Sequence, residues 1–252
     1  ASSIQLSLQM QKGSKADGTL GYMTEEQYEQ LVNSDFVEQA GHRRIIGYAS
    51  NTSSHSIEIN YADSVQQELT FCVPTHGAAP EKANEIATTD LALKALGVEP
   101  EIGAEVPLEF ELRGKTYHYD MVLSGWWEAS NDSVSVATVS EQFIKENPDV
   151  VQNTYAVDHE MSGVTFSDVV LKNKANVQQQ LNEFVCSIGG NPEDMGADNF
   201  ILASENQMSQ GLTSSESIVF AVVFILMFVV CGYLLIYNIF DISVMQDVRQ
   251  YG

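Results

Sequence analysis

The sequence predicts an α+β domain built on a mixed sheet and followed by one transmembrane helix. Short β-prone runs and amphipathic helical runs intermix over residues 1–212 without a clean repeat, which makes an α+β class with a mixed sheet the best fit. No internal repeat of solenoid period is visible. The run from Ile218 to Tyr237 contains no charged residue. At about 1.5 Å per residue it spans roughly 30 Å, the thickness of a bilayer's hydrocarbon core.

The elements follow in order. Ile4 to Met10 alternates apolar and polar residues and reads as a strand, and Lys12 to Gly21 as a loop. Thr24-Glu25-Glu26-Gln27 has capping-box spacing and opens a helix whose apolar stripe is Tyr28, Leu31 and Val32. Arg44–Ala49, Ser56–Tyr61 and Glu68–Val73 read as strands separated by polar turns. Pro74 to Pro80 breaks the pattern. Asn84 to Leu96 reads as a helix ended by Gly97. Glu105–Leu112 and Thr116–Trp127 form a hairpin around Arg113-Gly114-Lys115, with Val106, Leu108, Phe110 and Leu112 on its buried face. A short helix over Ser140–Glu146 closes at Pro148. Thr165–Leu171 is a strand, Asn176–Ile188 a helix ended by Gly189-Gly190, and Asn199–Ala203 a short strand.

The domain boundaries follow from these elements: an extracytoplasmic domain over 1–212, a transmembrane helix over 213–238, and the start of a cytoplasmic helix over 239–252. Thr213 and Glu216 have capping-box spacing before the apolar run, and Tyr233 and Tyr237 lie where aromatic rings favour the membrane interface. Ala1 is not an initiator Met and no leader precedes it, so the chain reads as a piece of a longer protein.

Charge excludes one class of partner. The formal net charge is −22, and only Asp241, Asp247 and Arg249 lie beyond the apolar run. So acidic a domain has no basic face for nucleic acid or anionic lipid, and its charge reads as a solvated surface. The three cysteines are too few for a disulfide-built scaffold. Whether Cys72 and Cys186 pair is open at this level, because spacing does not establish proximity.

Enzymatic constellations are missing. No Gly-rich loop ends in Lys-Ser or Lys-Thr, so the chain has no ATP-hydrolysing motif of its own. Ser124-Gly125 lacks the upstream glycine of a nucleophile elbow. The five histidines (His42, His55, His76, His118, His159) show no metal-ligand spacing. His118 and Asp120 on one strand face read as solvent-facing, and Asp158-His159-Glu160 as a polar loop. Trp126-Trp127 places one ring in the core and one partly covered. No catalytic residue, cofactor or metal is expected.

Beyond the span, Phe240, Val244, Val248 and Tyr251 recur at helical spacing, with Asp241, Asp247 and Gln250 off that stripe. A membrane-surface helix would be rich in Lys and Arg; this one has Arg249 alone, which favours contact with protein. Tyr237-Asn238-Ile239-Phe240, Ile242-Ser243-Val244, Arg249 and Tyr251-Gly252 resemble the second transmembrane helix and following cytoplasmic helix of FtsX-like, MacB-type ABC transporter permeases. Asn84 to Ala87, Leu96-Gly97, Ile102-Gly103 and Val169 to Leu181 resemble, more loosely, stretches of that family's periplasmic core domain. Gln246, Asp247 and Gln250 depart from the acidic, basic and acidic residues common in the family.

The resemblance implies a MacB-like periplasmic core between two membrane helices, in the plasma membrane of a bacterium. It further implies an ABC ATPase subunit on the cytoplasmic side, a permease dimer and contact with membrane lipid. Phe240, Val244, Val248, Arg249 and Tyr251 would face the ATPase. Family substrates are peptides, lipoproteins or other amphipathic molecules. The alternative is a single-span cell-surface receptor or adhesin, whose tail would carry several stop-transfer Lys or Arg. A membrane-tethered hydrolase has no supporting constellation.

Overall fold

The computed structural model describes residues 13–52, 56–129, 135–206 and 222–237. The chain divides into two units, residues 1–206 and 207–252. Among the described residues of the first, eleven strands form one sheet: β1 (Gly18–Met23), β2 (Val37–Ala40), β3 (Arg43–Tyr48), β4 (Ile57–Ala62), β5 (His76–Gly77), β6 (Glu85–Thr89), β7 (Glu105–Leu112), β8 (Lys115–Trp127), β9 (Ser135–Val139), β10 (Thr165–Leu171) and β11 (Leu202–Glu205). Among the described residues of this unit, five α-helices accompany them: α1 (Glu25–Val32), α2 (Ser64–Leu69), α3 (Asp90–Leu96), α4 (Glu141–Glu146) and α5 (Val177–Ser187). The strand order is β11-β1-β10-β3-β4-β9-β6-β8-β5, with β2 also on β10 and β7 also on β8. β4–β9 and β6–β8 are parallel and the other pairs antiparallel, which makes the sheet mixed.

The sheet serves two cores. At one end, β1 and β10 contribute Leu20, Val169 and Leu171, against which α1 sets Leu31 and α5 sets Leu181 and Val185. At the other end the sheet curls until Ala49, just past β3, bridges Phe110 of β7. Inside the curl lie Ile46, Ile57, Ile59, Ile86, Leu108, Phe110 and Met121, capped by Leu93 of α3 and Phe143 of α4. A third, aromatic cluster forms because Tyr22 takes φ +63 where the β1–β10 register shifts. That turns its ring to Tyr155, Phe166 and Phe200, at centroid distances of 4.6, 5.0 and 5.4 Å.

Local signals explain the elements that form where expected. Thr24 Oγ1 accepts the Gln27 N–H at 3.2 Å and Gln27 Oε1 accepts the Thr24 N–H at 2.9 Å, a complete capping box. The β7–β8 hairpin turns on Arg113 (φ +51) and Gly114 (φ +73), the pair of positive φ values that a two-residue turn between twisted strands requires. Gly97 ends α3 at φ +71.

Other expectations are corrected. Gly18–Met23 is a strand, not the end of a loop, and its glycines are close-approach positions. A Cβ at Gly21 would lie 2.4 Å from the Phe166 ring. Val32 is half exposed rather than part of the buried stripe of α1. Residues 64–69 are helix α2, not the strand Glu68–Val73, because Asp63 caps them by accepting the Gln66 N–H at 2.7 Å. The single helix expected over Asn84–Leu96 is strand β6 followed by α3, divided where Thr89 Oγ1 caps Ala92 N–H. β2, β5 and β9 are strands that the sequence pattern does not mark, β5 falling within the breaker Pro74–Pro80, and the last strand is Leu202–Glu205 rather than Asn199–Ala203. The strand expected over Ile4–Met10 lies outside the described residues.

Candidate functional site

The part of the domain with the clearest mechanical meaning is where the chain comes in and goes out. β1, the incoming strand, and β11, the outgoing one, are antiparallel neighbours, with Gly18 opposite Glu205. The Asn206 N–H donates to the Asp17 carbonyl at 2.7 Å and extends the pairing to the domain's last residue. The Asp17 carboxylate is buried; it accepts the Leu171 N–H at 2.8 Å and pairs with Lys174. One side chain thus ties the incoming strand to the end of β10 and to the turn before α5.

Gly18 lets these elements meet, since a Cβ there would lie 2.6 Å from Leu181 Cδ1 and 2.9 Å from the Ser204 carbonyl. Asn176 precedes α5 in the left-handed conformation (φ +52) with no side-chain cap. Glu205 supplies a substitute from across the fold: its Oε2 accepts the Gln178 N–H at 3.3 Å, setting negative charge at the positive end of the helix.

At the other end of β1 a second polar cluster fastens α1 to the sheet. Glu25 Oε1 accepts Arg44 Nε–H at 2.9 Å, and also takes bonds from Arg44 Nη2 and Thr165 Oγ1. His42 Nε2 lies 3.2 Å from the same oxygen, and its ring stacks on Tyr28 at 4.4 Å. Burial alone would raise the Glu25 carboxyl. The bonds from His42, Thr165 and Arg44 outweigh it and hold the group at about 2, against an ordinary 4.5. Burial pushes the Tyr61 phenol beside His42 up to about 12.

The sign of the pH effect follows. A carboxyl lowered on folding stabilises the fold fully above 4.5, and that stabilisation is lost as pH falls toward 2. Glu25→Gln is therefore expected to lose stability at neutral pH and to show a flatter stability profile between pH 4.5 and 2, read by urea unfolding at stepped pH. Identical slopes in the two proteins would refute it.

Other features noted in the sequence resolve as structure. Trp127 is in the core; Trp126 is half-buried and stacks on His76 at 3.9 Å. His118 and Asp120 are exposed on β8, and His118 Nδ1 lies 3.0 Å from Glu109. Asp158 pairs with Arg113 at 2.7 Å, and His159 with Asp198 at 3.0 Å. Cys72, Cys186 and Cys231 are free thiols. Among the described residues no three His, Cys, Asp or Glu converge as metal ligands. A shallow cavity of about 340 Å³ near Ile102, Leu123 and Ser124 has Glu85 on its wall, but that carboxylate is occupied by Lys82 and the amides of residues 81 and 82.

In the second unit residues 222–237 are helical, and their apolar side chains are exposed. Among the described residues no helix is long and apolar enough to cross a membrane; residues 218–221, which complete the apolar run, are outside them. Phe240, Val244, Val248, Arg249 and Tyr251, the residues expected to face an ATPase, also lie outside the described residues. Sequence reading missed Asp17, Gln178 and Glu205. Each is an isolated polar residue whose partners are remote in the chain, so no local spacing marks it.

No family model matches the chain, and no curated protein matches it. Solved structures similar to it include the extracellular domain of YknZ, a noncanonic ABC-type transporter from Gram-positive bacteria. The two are 13% identical over 74% of this chain and 98% of that one, with a TM-score of 0.46. The periplasmic region of MacB from Actinobacillus actinomycetemcomitans is 8% identical over 83% of this chain and 99% of that one, TM-score 0.46. A domain of a permease protein from Porphyromonas gingivalis is 12% identical over 75% of this chain and 78% of that one, TM-score 0.42.

Proposed function

We propose that the chain is the external domain and second membrane-crossing helix of an FtsX-like, MacB-type ABC transporter permease. In this reading it transmits ATPase-driven motion during export or extraction of peptide, lipoprotein or other amphipathic substrates. The observation that carries the reading is the pairing of β1 with β11, which brings the chain in and out at one end of adjacent strands. A domain held on two neighbouring strands responds to the relative movement of whatever precedes one and follows the other. The apolar run Ile218–Tyr237 follows β11 in the chain, and the amphipathic stripe of Phe240, Val244, Val248 and Tyr251 follows the run. In the permease resemblance that stripe contacts a separate ABC ATPase subunit, and the assembly is a dimer in the plasma membrane with this domain outside.

Topology and coupling are tested separately in the full-length protein. In intact spheroplasts a membrane-impermeant maleimide is expected to label the exposed native Cys186. In a background lacking the native cysteines, Gln246→Cys is expected to be labelled only after permeabilisation. Labelling of that cysteine in intact spheroplasts would sink the membrane-crossing reading. The double variant Val244→Asp/Val248→Asp is expected to lose co-purification of an ATPase subunit while keeping membrane insertion. Undiminished co-purification would remove the coupling role from this helix.

A further inference from the structure

Among the described residues, β11 ends the strand order, with β1 as its neighbour. The Asn206 N–H points to Asp17, the residue before β1, so the backbone groups of the even-numbered residues face β1 and those of Ala203 and Glu205 face outward. These outward groups are a carbonyl and, two residues on, an N–H, the pair that the N–H and C=O of one residue in a parallel neighbouring strand would meet. The side-chain amide of Gln178 meets them instead. Its Nε2–H donates to the Ala203 carbonyl at 2.8 Å, and its Oε1 accepts the Glu205 N–H at 2.9 Å. A further Nε2–H bond, to Asn182 Oδ1 at 2.8 Å, orients the amide from the next turn of α5. The helix itself is fixed by Val177 and Leu181 in the core.

We infer that Gln178 is a surrogate strand: its amide fills the outward pairing positions of Ala203 and Glu205 and locks the outgoing strand to α5. Unpaired outward N–H and C=O groups invite pairing with another chain, and a helix side-chain amide that offers the donor and acceptor of one strand residue removes that invitation at Ala203 and Glu205. Gln178 is thereby a positioning residue for β11. The inference rests on the hydrogen-bond geometry alone and holds whatever the chain transports.

Amide hydrogen exchange resolved to single residues, on the full chain in detergent micelles, tests it. Gln178→Met keeps the length and packing of the side chain but has no amide. In this variant the Glu205 N–H is expected to exchange about tenfold faster or more, while Leu202 and Ser204, whose N–H groups face β1, keep their protection. Glu205→Gln removes the carboxylate at the start of α5 but leaves the backbone N–H, and that amide is expected to stay protected. An unchanged rate at Glu205 in Gln178→Met would overturn the inference. So would equal acceleration at Leu202, Ser204 and Glu205, which would mark β11 as fraying whole.

Discussion

Phe110→Ala is expected to destabilise the domain by about 3–5 kcal/mol, the range for deleting a fully buried aromatic side chain. Phe110 has no exposed surface and lies in the larger core. Its ring stacks on Tyr117 at 5.2 Å with the planes 9° apart, and its backbone makes the bridge to Ala49 that closes the curl. Truncation leaves a void lined by β-strands on several sides, which cannot collapse without shifting the closure. Urea unfolding followed through Trp126 and Trp127 fluorescence reads the loss. A midpoint within error of the unmodified protein would show that Phe110 is not part of the core's packing.

Gly163→Ala is expected to be at least as damaging, at about 3 kcal/mol or more, from left-handed strain of roughly 1–3 kcal/mol combined with backbone overlap. Gly163 has φ +87, and a Cβ there would sit 2.7 Å from both Gln152 N and Val151 Cα, backbone atoms that cannot swing away. Its own N–H donates to the Ile45 carbonyl at 2.6 Å, so the residue cannot retreat without giving up a strand contact. Gly97→Ala is the control: φ is +71 but a Cβ would meet nothing within 4 Å, so only the conformational cost of about 1 kcal/mol applies. Equal losses in the two variants would mean that the overlap at Gly163 is relieved at little cost.

What could be read from sequence was whatever is encoded within a few residues. The capping box of Thr24 and Gln27, the alternation of Val106, Leu108, Phe110 and Leu112, and the turn at Arg113-Gly114 are each self-contained, and the structure has all three. The errors fall where tertiary context overrides local preference. Residues 85–89 look helical in isolation but are held between β8 and β9 as a strand. Gly18 and Gly21 look like loop residues, yet Leu181 and Phe166 need the room they leave.

The candidate site was less legible still. Asp17 acts through Lys174, Glu25 through Thr165, and Gln178 through Ala203 and Glu205, partners that only the fold brings together. The stripe expected from Phe240 to Tyr251 differs in kind: its signal is wholly local, its partner is expected in another chain, and it lies outside the described residues.

The way β3 and β10 meet has a consequence for how the domain can be altered. The chain leaves the smaller core along β3, builds the whole curled core from contiguous sequence, and returns along β10, where Thr165 lies opposite Arg44. The curled part is therefore a cassette whose two attachment points are adjacent, set into a smaller unit made of β1, α1, β2, α5 and β11. Such a layout tolerates exchange of the cassette for one of different size or surface, because the join needs only to span two neighbouring strand ends. The paired ends of β1 and β11 would keep their geometry while the cassette diversified.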